Sequence, residues 1–368
     1  MELFSQILVF VFLFSILLQL FYALYFYSRL MFYKEEENFF SDPISVIICA
    51  KDEADNLTRL LPKVLEQNYV NFEVILVDDQ SKDNTEYVLK ELERKYFNLK
   101  VVKIEDHINS RVGKKFALTL GIKAAKYDYL LLTDADCVPR SQNWLKEMVS
   151  KFSADKQIVL GYGAYKKENG LLNKMIRFDV FSVALQYFSY ALAGIPYMGV
   201  GRNLAYKKSI FFDNKGFASH IHFPSGDDDL FIQEVANKQN VAITISSESH
   251  TISESKQRWK EWFFQRRRHI TSSEKYKFSH KLFLGIWPVS QLLFWLTFGL
   301  LLFSESTIFV ALPLFCFRIL IYYILYYFLM KKLKTSDLLL FFPLFELLHL
   351  VIQGIFVLLN FKKKPITW

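Results

Sequence analysis

The sequence predicts an α/β domain built on a mostly parallel sheet and flanked on both sides by transmembrane α-helices. Two observations lead to this prediction. Hydrophobic residues make up 52% of the 368 residues, aromatic residues 17%, and Phe alone occurs 37 times, which is more than a water-soluble domain usually needs. The charged residues lie mostly between long uncharged runs at the two ends, and in this middle part short β-rich segments alternate with helical ones.

The first apolar run covers about residues 3–32 and is long enough to cross a bilayer core, which takes about 20 residues. A secretory signal peptide would start with basic residues and end at a small-residue cleavage site. Here the second residue is Glu2, and no such site follows. We therefore expect an uncleaved transmembrane anchor at residues 1–33.

The C-terminal region, residues 282–368, contains about three apolar runs, Leu282–Phe303, Ile308–Met330 and Leu338–Asn360. The loop after the first run has no Lys or Arg, whereas residues 331–334 are strongly basic, and the positive-inside rule then places the second loop in the cytosol. We expect a multi-pass protein of a bacterial cell membrane, with residues 34–281 as a cytosolic domain. Three crossings would leave the basic tail at residues 362–364 outside. Either the last run is re-entrant around Pro343, or the rule fails here.

Two charged residues, Arg318 and Glu346, lie deep inside these apolar runs, where each costs roughly 2.5–3.5 kcal/mol on insertion scales. We expect them to pair, with His349 on the same helix face as Glu346. Two interpretations remain open: a purely structural pair, or a pair that lines the path of an acceptor.

In the middle of the chain, strands are expected at Ile44–Cys49, Phe72–Val77, Leu99–Ile104 and Asp128–Thr133, and helices near Glu53–Gln67, Asn84–Lys95 and Lys114–Lys126. Ligands of such sheets bind beyond the carboxyl ends of the strands, and acidic residues follow two of these ends. The later stretch Leu171–Ala193 fits either a core helix or an amphipathic helix on the membrane surface.

Asp134 and Asp136 follow the fourth expected strand. Residues two apart in an extended chain point the same way, so both carboxylates can face one ligand. Two hard oxygen donors at this spacing suit Mg²⁺ or Mn²⁺ bound to a diphosphate. Asp78 and Asp79 end the second strand, either as part of a helix cap formed with Ser81 or Asp83, or as hydrogen-bond acceptors for a base or ribose.

Two further clusters carry charge. The adjacent carboxylates of residues 227–229 either provide a general base or are favoured by the dipole of a following helix. The three Arg of residues 266–268, preceded by Trp259 and Trp262, suit a phosphate clamp with stacking rings, or a basic membrane-surface face. The net charge of +8 is concentrated at such sites and at the membrane edges, which favours anionic lipid and phosphate over nucleic acid. Three scattered Cys exclude a disulfide framework.

Taken together, the motifs resemble family 2 glycosyltransferases, inverting enzymes with the Rossmann-like GT-A fold. The flanking apolar runs are similar to those of the membrane-bound branch, which includes cellulose and hyaluronan synthases and ceramide glucosyltransferase. The resemblance covers roughly Ile44–His269 and rests on five segments: residues 45–53, 78–81, 113–118, 134–136 and 199–206. Residue 52 is Asp where the family usually has Asn.

The resemblance implies a nucleotide-sugar donor, with UDP favoured over GDP, and a lipid or glycan acceptor. Donor-binding residues would be Ala50, Asp52, Glu53, Asp78, Asp79, Lys114, Asp134, Gln265 and Arg268. Asp136, with Asp134, would bind the metal ion. Acceptor-binding residues would be Asn203, Trp259, Trp262 and His269.

Two positions depart from the family pattern. The catalytic base is Asp228 when the motif is aligned from Gly226, and Asp227 when it is anchored on the following Asp-Leu; we prefer Asp228. The family's Gln-x-x-Arg-Trp motif ends here in His269. Because that Trp helps to hold the acceptor in processive synthases, we expect transfer of one or a few sugars to a lipid-linked or short glycan acceptor, with processive polymer synthesis as the alternative.

Overall fold

A computed structural model describes residues 2–36, 38–105, 113–223, 225–303 and 305–362, with side chains described up to residue 359. Residue 304 of the connector that lacks Lys and Arg, and residues 363–368, which include part of the basic tail, lie outside the described residues.

The described residues form ten strands: β1 (Ile44–Ala50), β2 (Phe72–Asp78), β3 (Leu99–Lys103), β4 (Tyr129–Asp134), β5 (Cys137–Pro139), β6 (Ile158–Leu160), β7 (Gly163–Tyr165), β8 (Leu204–Lys207), β9 (Val241–Ile243) and β10 (Thr251–Ser253). Thirteen α-helices also lie in the described ranges: α1 (Glu2–Phe21), α2 (Ser28–Phe32), α3 (Ala54–Leu65), α4 (Thr85–Lys95), α5 (Lys114–Ala124), α6 (Trp144–Val149), α7 (Leu171–Leu192), α8 (Lys208–Asp213), α9 (Asp229–Val235), α10 (Trp259–Ile270), α11 (Phe278–Leu301), α12 (Glu305–Lys332) and α13 (Phe342–Lys362). A π-helical segment, Tyr22–Tyr27, joins α1 to α2, and a 3₁₀ segment, Ser336–Phe341, precedes α13.

The main sheet has seven strands in the order β3-β2-β1-β4-β8-β6-β9. The first four pair in parallel, β8 runs antiparallel to β4 and β6, and β9 is parallel to β6. The four strands expected from the sequence end within one residue of the observed bounds. The predicted α/β fold with a mostly parallel sheet is therefore confirmed.

Strand register brings the acidic residues to one edge of this sheet. Ala50 at the end of β1 pairs with Asp78, and Cys49 pairs with Asp134 at the end of β4. Helix α5 packs closely on the sheet, because a Cβ at Gly121 would lie 2.8 Å from Ile47 Cγ2. The edge is thus held by buried, tightly packed strands.

Helix α7 is a core helix, which decides between the two interpretations of this stretch. Its buried side chains include Met175, Ile176, Phe178, Phe181 and Phe188, and together they lie on all sides of the helix. An amphipathic helix on a membrane surface would bury one face only.

Within the described part of the chain, four helical segments are long and apolar enough to cross a membrane: Glu2–Phe32, Phe278–Leu301, Glu305–Lys332 and Ser336–Leu359. The expected pair between Arg318 and Glu346 is present, with Nη1–Oε2 and Nη2–Oε1 distances of 2.7 and 2.6 Å. Gln19 accepts from Arg318 Nε at 2.7 Å, and Gln291 donates to Glu346 at 2.7 Å.

This network joins α1, α11, α12 and α13. Arg318 and Glu346 are 0% and 2% exposed, and neither lines the large cleft described below. These contacts support a purely structural role for the Arg318–Glu346 pair rather than a role in lining the path of an acceptor. His349, on the next turn of α13, contacts Asp179 of α7 at 2.9 Å.

Candidate active site

A cleft of about 1990 Å³ lies beyond the carboxyl ends of β1 and β4. Its lining includes most of the residues predicted for the site, namely Asp52, Glu53, Lys114, Asp134, Asp136, Asp227, Asp228, Trp259, Trp262, Gln265, Arg268 and His269. Asn203, Ala50, Asp78 and Asp79 do not line this cleft. The structure therefore brings together residues that lie more than 200 positions apart in the sequence.

The loops after β1 and β2 are tied to each other. The Asp52 amide donates to Ser81 Oγ at 2.9 Å, and Asp52 Oδ1 accepts from the Lys82 amide at 2.6 Å. Asp52 has a φ of 56°, a left-handed conformation that Asn and Asp adopt more readily than other non-glycine residues. Asp can therefore take the place of the family's usual Asn. The Ala50 carbonyl accepts from the Asp79 amide, so Ala50 positions this loop.

Asp79 is a buried carboxylate with no hydrogen-bond partner for either oxygen in the described part of the chain. Burial raises its pKa, while Lys51 acts in the opposite direction. Asp78 instead accepts from the Ser81 amide at 3.1 Å, and Asp83 accepts from the Thr85 amide at the start of α4. The helix-cap role thus belongs to Asp83. Buried polar groups are normally hydrogen-bonded. Among the described residues, the buried carboxylate of Asp79 is an exception, because neither of its oxygens has a donor.

The carboxylates of Asp134 and Asp136 lie with Cys137 Sγ in a group whose ligand atoms are within 4.8 Å of one another. Cys137 is buried and within 2.9 Å of Ser253 Oγ, and burial raises the pKa of its thiol. It therefore stays protonated and is a poor metal ligand. Burial and the Asp134 charge raise the pKa of Asp136. Two carboxylates that repel each other are a fitting donor set for Mg²⁺ or Mn²⁺, with phosphate oxygens and water as the remaining ligands.

Lys114, at the start of α5, links this motif to the second acidic cluster. Its Nζ lies 2.8 Å from Asp134 Oδ1 and 3.1 Å from Asp227 Oδ2. Burial would lower the Lys114 pKa, but the neighbouring carboxylates outweigh that effect and raise it. A permanent positive charge therefore sits between the two acidic groups, where it can contact an anionic ligand.

The three adjacent carboxylates have three different environments. Asp229 accepts from Ser272, from Tyr276 at 2.6 Å and from the Leu230 amide at 2.7 Å, so its role is structural. Asp228 accepts from the amides of Gly201 and Asp229 at 2.7 and 2.8 Å.

The pKa values of the other two carboxylates move in opposite directions. Burial, followed by repulsion from Asp227 and Asp229, raises the pKa of Asp228 to about 7. Burial acts in the same direction on Asp227, but the Lys114 ammonium outweighs it and lowers the Asp227 pKa. Of the two candidate bases, Asp228 is the one that titrates near neutral pH.

The three arginines of α10 also separate. Arg266 forms two 2.8 Å contacts with Asp179, and Arg267 donates to the Leu359 carbonyl at 3.1 Å. In the described ranges, the Arg268 side chain makes no hydrogen bond and lines the cleft. Arg268 is therefore the guanidinium of the three that is open to a phosphate.

Of the two tryptophans, Trp259 is 41% exposed, whereas Trp262 is 1% exposed and packs against Phe263 and Phe356. The ring with a face open for stacking is therefore that of Trp259, and Trp262 fastens α13 to α10. His269 is exposed within the cleft, close to Arg268.

The prediction that Asn203 contacts the acceptor is wrong. Its side chain is fully buried, its Nδ2 donates to the carbonyls of Tyr162 and Ser249 at 2.9 and 2.8 Å, and its Oδ1 accepts from Trp144 Nε1 at 3.0 Å. These bonds leave no group directed at the cleft. The parts of this motif that line the cleft are Val200, Gly201 and Arg202, and the Gly201 amide donates to Asp228.

Sequence reasoning missed Arg202, which lines the cleft beside the metal motif. Its guanidinium carbon lies 4.4 Å from the centre of the Tyr165 ring, and its nitrogens donate to Gly163 O and Ser253 Oγ. The residue lies inside a segment that the resemblance had marked, but no sequence pattern shows which way its side chain points.

Residues 45–216 match the family model described as glycosyl transferase family 2. No curated protein matches the chain. Among solved structures, the mannosyltransferase PcManGT from Pyrobaculum calidifontis, in complex with GDP-Man and Mn²⁺, has a TM-score of 0.56 at 16% identity and covers 92% of this chain and 96% of its own. S. aureus TarS with UDP-GlcNAc has a TM-score of 0.42 at 17% identity, covering 81% and 90%.

Glucosyl-3-phosphoglycerate synthase from Mycobacterium tuberculosis, with Mn²⁺ and UDP-glucose, has a TM-score of 0.42 at 14% identity, covering 61% and 76%. Of these three similarities, the first is the one whose TM-score indicates a shared overall fold.

Proposed function

We propose that this protein is a family 2 glycosyltransferase with the GT-A fold. It moves a sugar from a UDP-sugar to a hydroxyl group on a membrane lipid-linked or short glycan acceptor. The observation that carries the proposal is the content of one cleft: a carboxylate pair suited to a metal ion, the Lys114 charge, and Asp228 with its raised pKa. Transfer is with inversion, so an α-linked donor produces a β-glycosidic bond.

The donor is held along the edge formed by β1, β2 and β4. The loop of Asp52 and Glu53 contacts the nucleoside. We assign the N–H of the base to Asp79 because its buried oxygens have no donor among the described residues, and since Asp79 does not line the cleft, this contact requires that loop to move. Lys114, Arg202, Gln265 and Arg268 surround the diphosphate, with Asp134 directed at ribose or metal. A bound Mg²⁺ or Mn²⁺, held by Asp136 and Asp134, would neutralise the negative charge that develops on the diphosphate.

Asp228 acts on the acceptor. Its carboxylate takes the proton of the acceptor hydroxyl, the hydroxyl oxygen bonds to the anomeric carbon, and the bond from that carbon to the diphosphate breaks on the opposite face. A base with a pKa near the working pH is the most effective for this step. The Gly201 amide fixes the orientation of the carboxylate, and Trp259 and His269 flank the acceptor.

The basic loop after α12 supports a cytosolic location for the catalytic domain, residues 34–281. Helix α13 contacts this domain near both of its ends: Phe345 packs on Phe178 of α7, and Phe356 packs on Phe263 of α10. A helix with both ends on the domain lies along the membrane interface or re-enters it. These contacts support the re-entrant alternative for the last apolar run, which agrees with the positive-inside rule.

The experiment is a transfer assay with radiolabelled UDP- and GDP-sugars and full-length protein in its own membranes, with Mg²⁺ or Mn²⁺ present. We expect label from a UDP-sugar in a product that organic solvent extracts. Asp228→Asn should abolish the transfer, whereas Asp213→Asn, at an exposed carboxylate outside the cleft, should not change it. A long water-soluble polymer would instead support the processive alternative, and transfer from GDP-sugars alone would overturn the choice of donor.

A further inference from the structure

The cleft does not end at the acidic residues. Three helices also contribute to its lining, and most of the residues that they contribute beyond Tyr276 and Lys281 are apolar: Val180 and Val183 of α7, Leu284 and Pro288 of α11, and Val357 and Leu359 of α13, beside the polar Gln186 and Gln353. The two α11 residues lie four apart and therefore share one helix face with Lys281. From Lys281 to Pro288 this face extends about 10 Å along α11.

Two of the three walls of this apolar arm are helices that are long and apolar enough to lie in a membrane. The outer side of α13 is exposed and apolar, with Leu344, Val351, Ile355 and Leu358 between 39% and 67% exposed. Its inner side packs on the catalytic domain. The arm therefore connects the active site to a surface that hydrocarbon would cover.

Helices α11 and α13 are in contact at Gln291 but leave open space near Gly285. The contact is the hydrogen bond from Gln291 to Glu346. At Gly285, about one and a half turns earlier in α11, a Cβ would have no described atom within 4 Å. Gly285 also lines the cleft, so the space beside it is continuous with the apolar arm.

We propose that the apolar arm between α7, α11 and α13 holds the hydrocarbon chain of a lipid acceptor, which enters sideways from the bilayer past Gly285 and presents its hydroxyl head group to Asp228. This inference rests on the proposed function and adds the entry route and the site of the tail. The occupant is a single long alkyl or isoprenoid chain, because each of the three walls contributes apolar side chains and the arm is continuous with the catalytic cleft.

The test uses Gly285→Phe, which fills the opening. Gly299→Phe is the matched control, because Gly299 lies on the same helix, also has no described atom within 4 Å of its Cβ position, and does not line the cleft. Sugar transfer to solvent-extractable product in membranes should fall at least tenfold in Gly285→Phe and stay at the wild-type level in Gly299→Phe. Equal transfer by the two variants would overturn the proposal.

A second measurement does not depend on turnover. A long-chain alcohol with a diazirine in its chain is added to full-length protein in phosphatidylcholine vesicles, and crosslinks are mapped by mass spectrometry. Val180 and Val183 belong to a core helix, so a lipophilic probe reaches them through the arm. We expect labelling there in wild type and Gly299→Phe, and a loss of at least fivefold in Gly285→Phe, with labelling at the outward Leu296 unchanged.

The two measurements separate the failure of each proposal. Absence of α7 labelling in wild type, or labelling that Gly285→Phe leaves unchanged, would refute the tail site whatever the transfer assay shows. Labelling as expected in a protein that transfers no sugar to any lipid would refute the proposed lipid acceptor instead.

Discussion

Replacing Asp228 with Asn tests the assignment of the catalytic base. A positioned general base contributes about 10²- to 10⁴-fold, so transfer by Asp228→Asn should fall by that factor. Because burial and its acidic neighbours raise the pKa of Asp228 to about 7, the wild-type kcat/KM should rise with pH and level off above about 7. This inflection should be absent from the residual activity of Asp228→Asn.

The same change affects stability, and its sign follows from the raised pKa. The protonated carboxyl is favoured in the folded state, so wild type loses stability as pH rises from about 4 through about 7. A pKa rise from 3.8 to about 7 corresponds to at most about 4 kcal/mol. Asp228→Asn lacks this loss and should therefore melt at a higher temperature than wild type at pH 8, with the gap closing toward pH 4.

Asp227→Asn is the matched comparison. Lys114 lowers the pKa of Asp227, so this carboxylate is ionised throughout the neutral range. The pH profile of Asp227→Asn should therefore still show the inflection that we assign to Asp228. The assay is initial-rate transfer between pH 5.5 and 8.5, with melting temperatures of the same samples in detergent. An inflection that persists in Asp228→Asn but disappears in Asp227→Asn would refute the assignment and identify Asp227 as the base.

Three further changes test other parts of the structure. Glu346→Gln leaves Arg318 buried without its charge partner, which should lower the free energy of unfolding by about 3–5 kcal/mol and lower the melting temperature in detergent. The double variant Arg318→Met/Glu346→Leu should recover most of this stability. An unchanged melting temperature for Glu346→Gln would contradict the prediction. Asp79→Ala should weaken binding of UDP at least tenfold by calorimetry, since it removes the buried acceptor for the base, and equal affinity would exclude that role. Arg202→Met should raise KM for the donor more than it lowers kcat, and a change confined to kcat would show that Arg202 acts elsewhere.

Periodicity and strand-end chemistry were sufficient to predict much of the fold. Three of the four parallel strands, β1, β2 and β4, are largely apolar runs, which is the pattern of strands buried on both faces. The edge strand β3 carries Lys100 and Lys103, and all four strands end within one residue of the prediction. The short strands β5, β6, β7, β9 and β10 have three residues each, too few for a periodic signal. Their positions depend on tertiary pairing.

Local pattern was less informative about individual side chains. Asn203 belongs to a motif that resembles an acceptor element, yet its amide is used entirely inside the core. The three arginines of α10 look equivalent in sequence, but Asp179 and the Leu359 carbonyl occupy two of them. Both partners are more than 80 residues away along the chain, so only the folded structure separates the arginine that remains open.

The acidic cluster shows the same limit in its electrostatics. Three adjacent carboxylates are expected to repel one another, but the sequence does not show which of them are stabilised by a positive charge or by hydrogen-bond donors. In the structure Lys114 lies 3.1 Å from Asp227, and Tyr276 and Ser272 donate to Asp229, so Asp228 is left with the raised pKa. The two candidate bases that the sequence left open, Asp227 and Asp228, thus have different environments in the structure.

The proposed function depends on one cleft that binds a nucleotide sugar together with a metal ion held by Asp136 and Asp134. The most direct measurement is the thermal stabilisation of the purified protein by UDP-sugars, with Mn²⁺, with Mg²⁺ and with EDTA. We predict a rise in melting temperature that needs both the divalent ion and the sugar nucleotide, and that Asp136→Ala abolishes. Stabilisation that is equal in EDTA, or that Asp136→Ala retains in full, would contradict it.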